Sequence, residues 1–225
     1  MGIIKNIKTY IKSKKWYHKI MQPTVQDDRL QQTIYTKDQV EKKERKKLFF
    51  IIPAVLIALW LIVTYVVSPF MVDGISMQPT FHTGDIVLVW RLPQTWAAIT
   101  NTEYVPQRTN VVVLNQTAVS GEVLIKRVIG LPKDHIVIAN NTITIYNTLS
   151  PGGFNPDNAP FAKNLLPPLG TYDETVASDQ IFAMGDNRNP GASIDSRSNI
   201  GALYTKTIAG QVILRIYPLN KITLF

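Results

Sequence analysis

Ser76 is the first residue of this chain whose setting suggests chemistry. It lies in the short segment 73–81, between a long apolar run and a strand-like run at Ile86–Trp90. Gly74 can adopt backbone dihedrals closed to other residues, and Pro79 fixes its own φ. A serine in such a turn is usually only a turn residue. The stiffened backbone could nevertheless present the Ser76 hydroxyl as a nucleophile.

Lys126 is the candidate base for this hydroxyl, because a serine needs a neighbouring base to become nucleophilic. Side chains alternate along a strand, so Lys126 shares one face of a predicted strand with Leu124 and Val128. Apolar surroundings disfavour a charged amine, and a lysine pKa moved from about 10.4 to about 7–8 suits a general base. The alternative is a lysine that extends from a sheet edge into solvent.

Composition excludes several other kinds of site. The chain has no cysteine, so a thiol nucleophile, a disulfide and a cysteine-ligated metal are impossible. Its three histidines, His18, His82 and His135, are far apart and form no zinc-binding pattern. We therefore expect no metal and no cofactor.

The net charge of +8 is confined to the N-terminal part of the chain. Residues 1–47 contain 13 lysines and arginines against 5 acidic residues, whereas residues 48–225 contain 11 of each. A nucleic-acid-binding domain needs a basic face on its folded part. The balanced charge of the remaining chain therefore argues against a nucleic-acid partner.

Several short motifs accompany Ser76 and Lys126. Residues 74–80 read Gly-Ile-Ser-Met-Gln-Pro-Thr, and residues 84–89 read Gly-Asp-Ile-Val-Leu-Val. Residues 126–132 read Lys-Arg-Val-Ile-Gly-Leu-Pro, residues 185–188 read Gly-Asp-Asn-Arg, and residues 193–197 read Ser-Ile-Asp-Ser-Arg. In this order, over roughly residues 70 to 201, they resemble the sequence boxes of bacterial type I signal peptidases of the short, single-anchor, Gram-positive-like kind.

The resemblance implies a role for each matched residue. Ser76 would be the nucleophile of a serine endopeptidase, Lys126 its general base, and Ser193 the hydroxyl that orients the lysine. Gly74 replaces a side-chain donor found in some relatives, so backbone N–H groups, including that of Ser76, would hold the oxyanion. Four charged residues would form ion pairs that hold the site together, or a purely structural network: Arg127, Asp186, Asp195 and Arg197.

The resemblance also implies a substrate, the signal peptide of an exported preprotein, cut after a small-x-small motif. Such a peptide binds by adding a strand to a sheet edge. The enzyme would work at the membrane lipid, in functional proximity to the secretion translocon. Six positions match residues that line the small-residue pockets in relatives, although core packing is the alternative for each: Phe70, Val72, Met77, Phe81, Leu124 and Ile125.

Three features depart from the family pattern. Lys133 stands where relatives usually have glycine, so that turn is expected to differ. Four residues, 189–192, separate Arg188 from Ser193, where the family has two. Phe81 replaces a leucine and would narrow a pocket.

The elements that position these residues begin with an apolar segment. Residues 48–67 carry no charge, and about 20 helical residues span the hydrocarbon core of a bilayer. Lysines and arginines at residues 42–47 precede the segment, which predicts a cytoplasmic N-terminus and an extracytoplasmic domain. We divide the chain into a basic arm (1–47), a transmembrane anchor (48–69) and a peptidase domain (70–225). Residues 1–20 fit either a basic amphipathic helix on the membrane surface or a solvated arm.

The outer domain is predicted to be mainly β, an antiparallel signal-peptidase-like sheet without a helix of normal length. Asn140 and Asn141 separate two alternating runs, which indicates a tight hairpin. Residues 149–179 are rich in proline and glycine and predict a long loop insertion. The strand candidates are Ile86–Trp90, 110–114, 122–130, His135–Ala139, 142–146, Gln180–Met184 and 210–217.

Two other functions fit parts of the sequence. One is a non-catalytic relative with the same fold, an extracytoplasmic assembly factor or chaperone. Such proteins typically lack the serine or the lysine, and this chain has both. The other is a self-cleaving repressor of a related serine/lysine fold, against which the apolar anchor and the lack of a DNA-binding segment argue.

Overall fold

The computed structural model describes residues 25–115, 123–198 and 200–225. The predicted basic helix within residues 1–20 lies outside these residues. The chain divides into two compact units at Ala58 and Leu59, and the second unit contains the β-sheets and the candidate site.

Helix α1 (Val25–Tyr65) carries the predicted anchor. Its segment Gln32–Tyr65 is long and apolar enough to cross a membrane, and its most apolar part is not buried in the protein. The sequence placed the end of the span at residue 67 and the domain boundary after residue 69. The helix ends at Tyr65, and the first strand already begins at Val67.

Among the described residues, twelve strands and one further α-helix follow α1. The helix, α2, covers Leu92–Thr100. In chain order the strands are β1 (Val67–Met71), β2 (Ile86–Trp90), β3 (Val111–Asn115), β4 (Val123–Gly130), β5 (His135–Ala139), β6 (Thr142–Asn147), β7 (Ser150–Phe154), β8 (Tyr172–Thr175), β9 (Gln180–Met184), β10 (Leu203–Tyr204), β11 (Ile208–Tyr217) and β12 (Thr223–Leu224).

The strands form two antiparallel sheets, as the mainly β prediction required. The larger sheet has the order β1-β2-β11-β3-β4-β9-β10, with β12 paired to β11, and the smaller sheet has the order β7-β6-β5-β8. One hydrophobic cluster lies under β1, β2 and the segment that carries Ser76. A second lies around β3, β4 and β9. A third joins β4 and β9 to the smaller sheet through isoleucines of β5 and β6.

The hairpin between β5 and β6 is confirmed. Asn140 and Asn141 have φ values of 50° and 59°, in the left-handed region. Asparagine tolerates this region better than most residues, and two such residues in succession suit a tight hairpin turn.

Two expectations about the outer domain were wrong. The domain does contain a helix, α2, which was missed because it has only nine residues and carries no charged residue that would mark a polar face. The predicted loop 149–179 contains β7, β8 and two short 3-10 turns. Strand β7 reads Ser-Pro-Gly-Gly-Phe and lies at the edge of its sheet, where proline and glycine are tolerated.

Lys133 provides a test of backbone strain. It adopts a φ of 70° in the turn between β4 and β5, and its side chain is exposed. A side chain in the left-handed region costs about 1–2 kcal/mol, whereas glycine pays only its larger loss of backbone entropy, about 0.5–1 kcal/mol. Lys133→Gly should therefore raise the free energy of unfolding by up to about 1 kcal/mol, measured by denaturant titration.

Lys163 is the matched control for this change. It is also an exposed lysine, but its backbone is right-handed, with φ −50° and ψ −32°. Lys163→Gly should lower stability or leave it unchanged. Equal effects of the two substitutions would contradict the strain at Lys133.

Candidate active site

Ser76 and Lys126 are in direct contact. Lys126 Nζ donates hydrogen bonds to Ser76 Oγ at 2.9 Å and to the Ile125 carbonyl oxygen at 3.0 Å. Lys126 is only 2% exposed, whereas Ser76 is half-buried and accessible from one side. Lys126 therefore does not extend into solvent. Its amine is hydrogen-bonded to the Ser76 hydroxyl, although the two residues are 50 positions apart in the sequence.

The backbone around Ser76 is fixed by several hydrogen bonds. Gly74 has a φ of 90°, a conformation that side-chain-bearing residues rarely adopt. The Asn187 backbone N–H donates to the Ser76 carbonyl at 2.9 Å, and its side-chain Nδ2 donates to the Ile75 carbonyl at 3.1 Å. Thr83 Oγ1 donates to the Gly74 carbonyl at 3.0 Å. The nucleophile candidate thus lies on a segment held at both ends.

Lys126 is held by the centre of the larger sheet. It pairs with Val112 of β3, and the pairing of β4 with β9 begins one residue later, at Arg127 and Met184. The first half of β4, from Val123 to Lys126, is therefore paired with β3 on one side while its other side faces the candidate site.

A cleft of about 250 Å³ opens above the two residues. One wall is the segment from Asp73 to Ser76, and the other is the first half of β4. Gly191, Ala192 and Ile194, which flank Ser193, also line it.

Arg127 and Asp186 form a buried ion pair next to the site. The Arg127 guanidinium donates to both carboxylate oxygens of Asp186, at 2.8 and 2.6 Å, and both side chains are almost fully buried. Thr80 Oγ1 donates to the same carboxylate at 2.5 Å. The Phe161 ring covers the guanidinium at 4.5 Å. This bidentate pair joins β4 to the segment after β9 and to the end of the Ser76 segment.

Asp195 and Arg197 form a second pair, two residues apart. Arg197 donates to the two carboxylate oxygens of Asp195 at 2.9 and 2.8 Å, and the Gly185 backbone N–H donates to one of them at 2.9 Å. Burial by itself would raise the pKa of Asp195, but the hydrogen bonds and charge of Arg197 and the Gly185 N–H outweigh it, so the pKa is lowered.

Stability should therefore fall in acid partly through Asp195. A carboxyl whose pKa is lower in the folded than in the unfolded chain stabilises the fold above the unfolded value, near 3.9. That contribution is lost as the pH falls through the folded pKa. Unfolding free energies measured between about pH 6 and pH 2 should drop less steeply for Asp195→Asn than for the original protein. Parallel profiles would show that Asp195 does not contribute.

Ser193 lies beside the segment that carries Ser76. A Cβ added to Gly185 would be 2.3 Å from Ser193 Oγ and 2.5 Å from the Ser76 carbonyl oxygen, so all three residues pack closely. Among the described residues Ser193 Oγ is buried and has no hydrogen bond of standard geometry. It is near enough to Asp195 to contribute to the lowered pKa of that carboxyl.

The six predicted pocket residues separate into two groups. Leu124 and Ile125 line the cleft. Val72, Met77 and Phe81 are at most 1% exposed and belong to the first hydrophobic cluster, and Phe70 packs against that cluster from β1.

Several residues that position the site were not singled out from the sequence. Gly185 has no room for a side chain, because a Cβ would collide with the Ser76 carbonyl. Asn187 holds that same carbonyl, and Thr80 binds Asp186. Gly185 and Asn187 do belong to the quoted motif at 185–188, but nothing in the sequence indicates what they contact.

Arg188 connects the motif at residues 185–188 to the segment 149–179, which was predicted to be a long loop insertion. It is 1% exposed, donates to the Gly185 carbonyl at 3.0 Å, and pairs with Asp157 at 3.3 Å. Burial lowers the pKa of Arg188, although the neighbouring Asp157 and Asp186 act in the opposite direction. The segment 149–179 thus supports the site through Asp157.

No group of three or more His, Asp or Glu side chains that could hold a metal ion occurs in the part of the chain that the structure describes. The polar groups at the cleft include the Asp73 carboxylate, the Ser76 hydroxyl, the Lys126 amine and backbone amides. This arrangement can carry out nucleophilic acyl transfer with a lysine as base.

The chain is similar to proteins of known family. The family model for signal peptidases of peptidase family S26 matches residues 44–217. A signal peptidase I of Bacillus amyloliquefaciens is 32% identical over 197 residues, which cover 83% of this chain and 97% of the relative. Signal peptidase I S of Bacillus subtilis is 33% identical over 178 residues, covering 76% and 88%. The crystal structure of a signal peptidase I from Enterococcus faecalis matches 49% of this chain and 98% of its own, with 23% identity and a TM-score of 0.37.

Proposed function

Since the chain belongs to the S26 family of signal peptidases and is a signal peptidase I, a protease that removes signal peptides, we propose that it uses Ser76 as nucleophile and Lys126 as general base. In this proposal it is a membrane-bound endopeptidase that cuts exported preproteins after a small-x-small motif. The observation that carries the proposal is the 2.9 Å contact between the buried Lys126 amine and the Ser76 hydroxyl at the floor of the cleft.

The proposed reaction begins with Lys126 as the neutral amine. Burial disfavours the charged form of an amine, so the buried position favours the state that can accept a proton. The amine takes the proton of Ser76 Oγ while this oxygen attacks the scissile carbonyl carbon. The resulting ammonium returns the proton to the leaving amine as the C–N bond breaks. Water then attacks the acyl-enzyme ester, assisted by the same amine, and releases the second product.

Backbone amides would stabilise the oxyanion. Among the described residues the Ser76 backbone N–H donates no hydrogen bond, so it is available to a negatively charged oxygen in the cleft. A positioned donor of this kind contributes about 3–4 kcal/mol to transition-state stabilisation. Gly74, with no side chain and a φ of 90°, leaves the approach to this amide open.

The other polar residues would act through these two. Ser193 Oγ is a buried hydroxyl near the site, and we assign it the role of orienting the Lys126 amine. The pairs Arg127–Asp186 and Asp195–Arg197 hold the strands and segments that carry the reacting groups. They are positioning residues rather than catalytic residues.

The signal peptide would bind as a strand along the first half of β4. Residues 123–126 pair with β3 on one side only, which leaves their other edge for an extended peptide. Leu124 and Ile125 would then contact the small residues before the scissile bond. Phe70, Val72, Met77 and Phe81 would shape the cleft from beneath, as part of the core.

Helix α1 would anchor the enzyme in the cell membrane. The basic residues 42–47 precede its most apolar part, so the N-terminus would be cytoplasmic and the peptidase domain extracytoplasmic. This topology places the cleft on the side of the bilayer where preproteins emerge from the secretion translocon. The partners are then signal peptides and membrane lipid.

The test is to reconstitute the full chain in lipid vesicles with a preprotein and identify the cut bond by mass spectrometry. We expect a single cut after the small-x-small motif of the signal peptide. A matched preprotein in which the small residue before the cut is replaced by a bulky one should remain intact. If neither preprotein is cut, or if both are cut equally, the proposed specificity is wrong.

A further inference from the structure

Helix α2 exposes its most apolar face to solvent and turns another face to the protein. Leu92, Trp96 and Ile99 are four and three residues apart, so they lie on one face of the helix. Their exposed fractions are 41%, 64% and 73%. The buried residue of α2 is Ala97, on another face. A surface helix normally turns its apolar face to the core, so the orientation of α2 is the reverse of the usual one.

The position of α2 links this face to the end of α1. The first residue of β1, Val67, pairs with the last residue of β2, Trp90, so the chain leaves α1 and enters α2 at the same end of the sheet. The backbone N–H of Arg91 donates to the Val66 carbonyl at 2.8 Å. Thr95 Oγ1 of α2 donates to the Tyr65 carbonyl at 3.0 Å. Both acceptors belong to the last turn of α1 or follow it directly.

We propose that the face formed by Leu92, Trp96 and Ile99 rests in the headgroup region of the bilayer that α1 spans. This proposal rests on the proposed membrane anchoring of the enzyme. The end of a transmembrane helix lies at the boundary between hydrocarbon and headgroups, and α2 is hydrogen-bonded to that end. Exposed apolar surfaces of this kind mark membrane or protein contacts, and tryptophan is enriched at the membrane interface.

The chemistry of α2 favours lipid as the occupant. The helix has no charged residue. Tyr65 and Trp90, both partly exposed, lie beside it at the end of the span and give this surface three aromatic side chains of the kind found in interfacial belts. An apolar and aromatic surface that continues from a membrane span fits the bilayer that already surrounds the span.

The inference assigns α2 a function. A single span gives the lipid no second contact that would set the tilt of the peptidase domain against the bilayer. A second apolar contact beside the span would fix that orientation and hold the cleft in one position relative to membrane-embedded substrates. Because the three side chains are exposed, polar replacements should cost little packing energy.

The absence of cysteine from the chain makes a direct test possible. A Trp96→Cys variant, in a Ser76→Ala background that removes the proposed nucleophile, is labelled with a polarity-sensitive fluorophore and reconstituted as the full chain in phosphatidylcholine–phosphatidylglycerol vesicles. Asn140→Cys, on the exposed β5–β6 turn, is the matched control. We expect a blue-shifted emission and at least about twofold stronger quenching by spin-labelled lipid for the Trp96→Cys probe only. Equal quenching of the two probes would overturn the proposal.

A probe that is shielded in native membranes but not in pure-lipid vesicles would show that a protein covers the face, which also overturns it. The optical reading does not depend on cleavage, so it separates this proposal from the proposed function. If the probe is lipid-shielded and the original chain cuts no preprotein, only the proposed function fails.

Cleavage activity provides a second test, in a chain that retains Ser76. The double substitution Trp96→Gln and Ile99→Gln should lower cleavage of a membrane-embedded preprotein roughly three- to tenfold. Cleavage of a short soluble peptide should be unchanged, because α2 does not line the cleft. An equal loss on both substrates, or no loss on either, would contradict an orienting role.

Discussion

Lys126→Met should abolish cleavage while leaving the protein folded. Methionine nearly matches the length of lysine but cannot accept a proton, so Ser76 would have no base. Removing one member of a nucleophile–base unit typically costs as much as removing the whole unit, and we expect kcat to fall by at least about a thousandfold. Methionine needs no hydrogen-bond partner in the buried position that the Lys126 amine occupies, so the substitution should leave the melting temperature unchanged or raise it.

The controls for this prediction are Ser76→Ala and Lys163→Met. Ser76→Ala should show the same loss, and combining it with Lys126→Met should add almost nothing, because the two residues act as a unit. Lys163 is exposed, so Lys163→Met should retain full activity. Substantial activity in either dyad variant would exclude the proposed chemistry.

Asp186→Asn should cause the largest loss of stability among single polar substitutions near the site. It leaves the buried Arg127 guanidinium without its carboxylate partner and changes the acceptor of Thr80 Oγ1. Breaking a buried ion pair on one side typically costs about 3–5 kcal/mol. Denaturant unfolding in detergent should show this loss, and activity should fall with it because β4 carries Lys126.

An exposed aspartate provides the comparison. Asp173 Oδ1 lies 3.2 Å from His135 Nε2 at the surface, and the Asp173 side chain is 74% exposed. Asp173→Asn should change stability by less than about 1 kcal/mol. Replacing both Arg127 and Asp186 with apolar residues should cost less than Asp186→Asn alone, because no charge is then left buried. A double variant worse than either single one would contradict this account.

The sequence predicted the features that depend on local patterns. Alternating apolar residues and turn residues located seven strands, and the paired asparagines located the hairpin at 140–141. The quoted motifs indicated Ser76 and Lys126, and the structure places these two side chains in contact. In each of these cases the signal lies within about ten residues of sequence.

The features that the sequence did not predict depend on distant contacts. Asn187 holds the Ser76 carbonyl, and Asp157 meets Arg188 from a segment that reads as a loop. Strand β7 forms because an edge position accepts Pro151 and the following glycines. Apolar residues such as Met77 fit a core and a substrate pocket equally well, and only the fold shows that Met77 is buried in the core.

The junction between α1 and β1 has a consequence for substrate choice. Only Val66 separates the two elements, and it is hydrogen-bonded on both sides, to Ile62 and to Arg91. A strand rises about 3.3 Å per residue, so the five residues of β1 extend the chain by about 17 Å before the segment that carries Ser76 begins. With α1 in the bilayer, this short junction would limit how far the cleft can lie from the lipid surface. Targeting sequences would then be sorted by the depth at which their hydrophobic stretch ends, as well as by the residues around the cut.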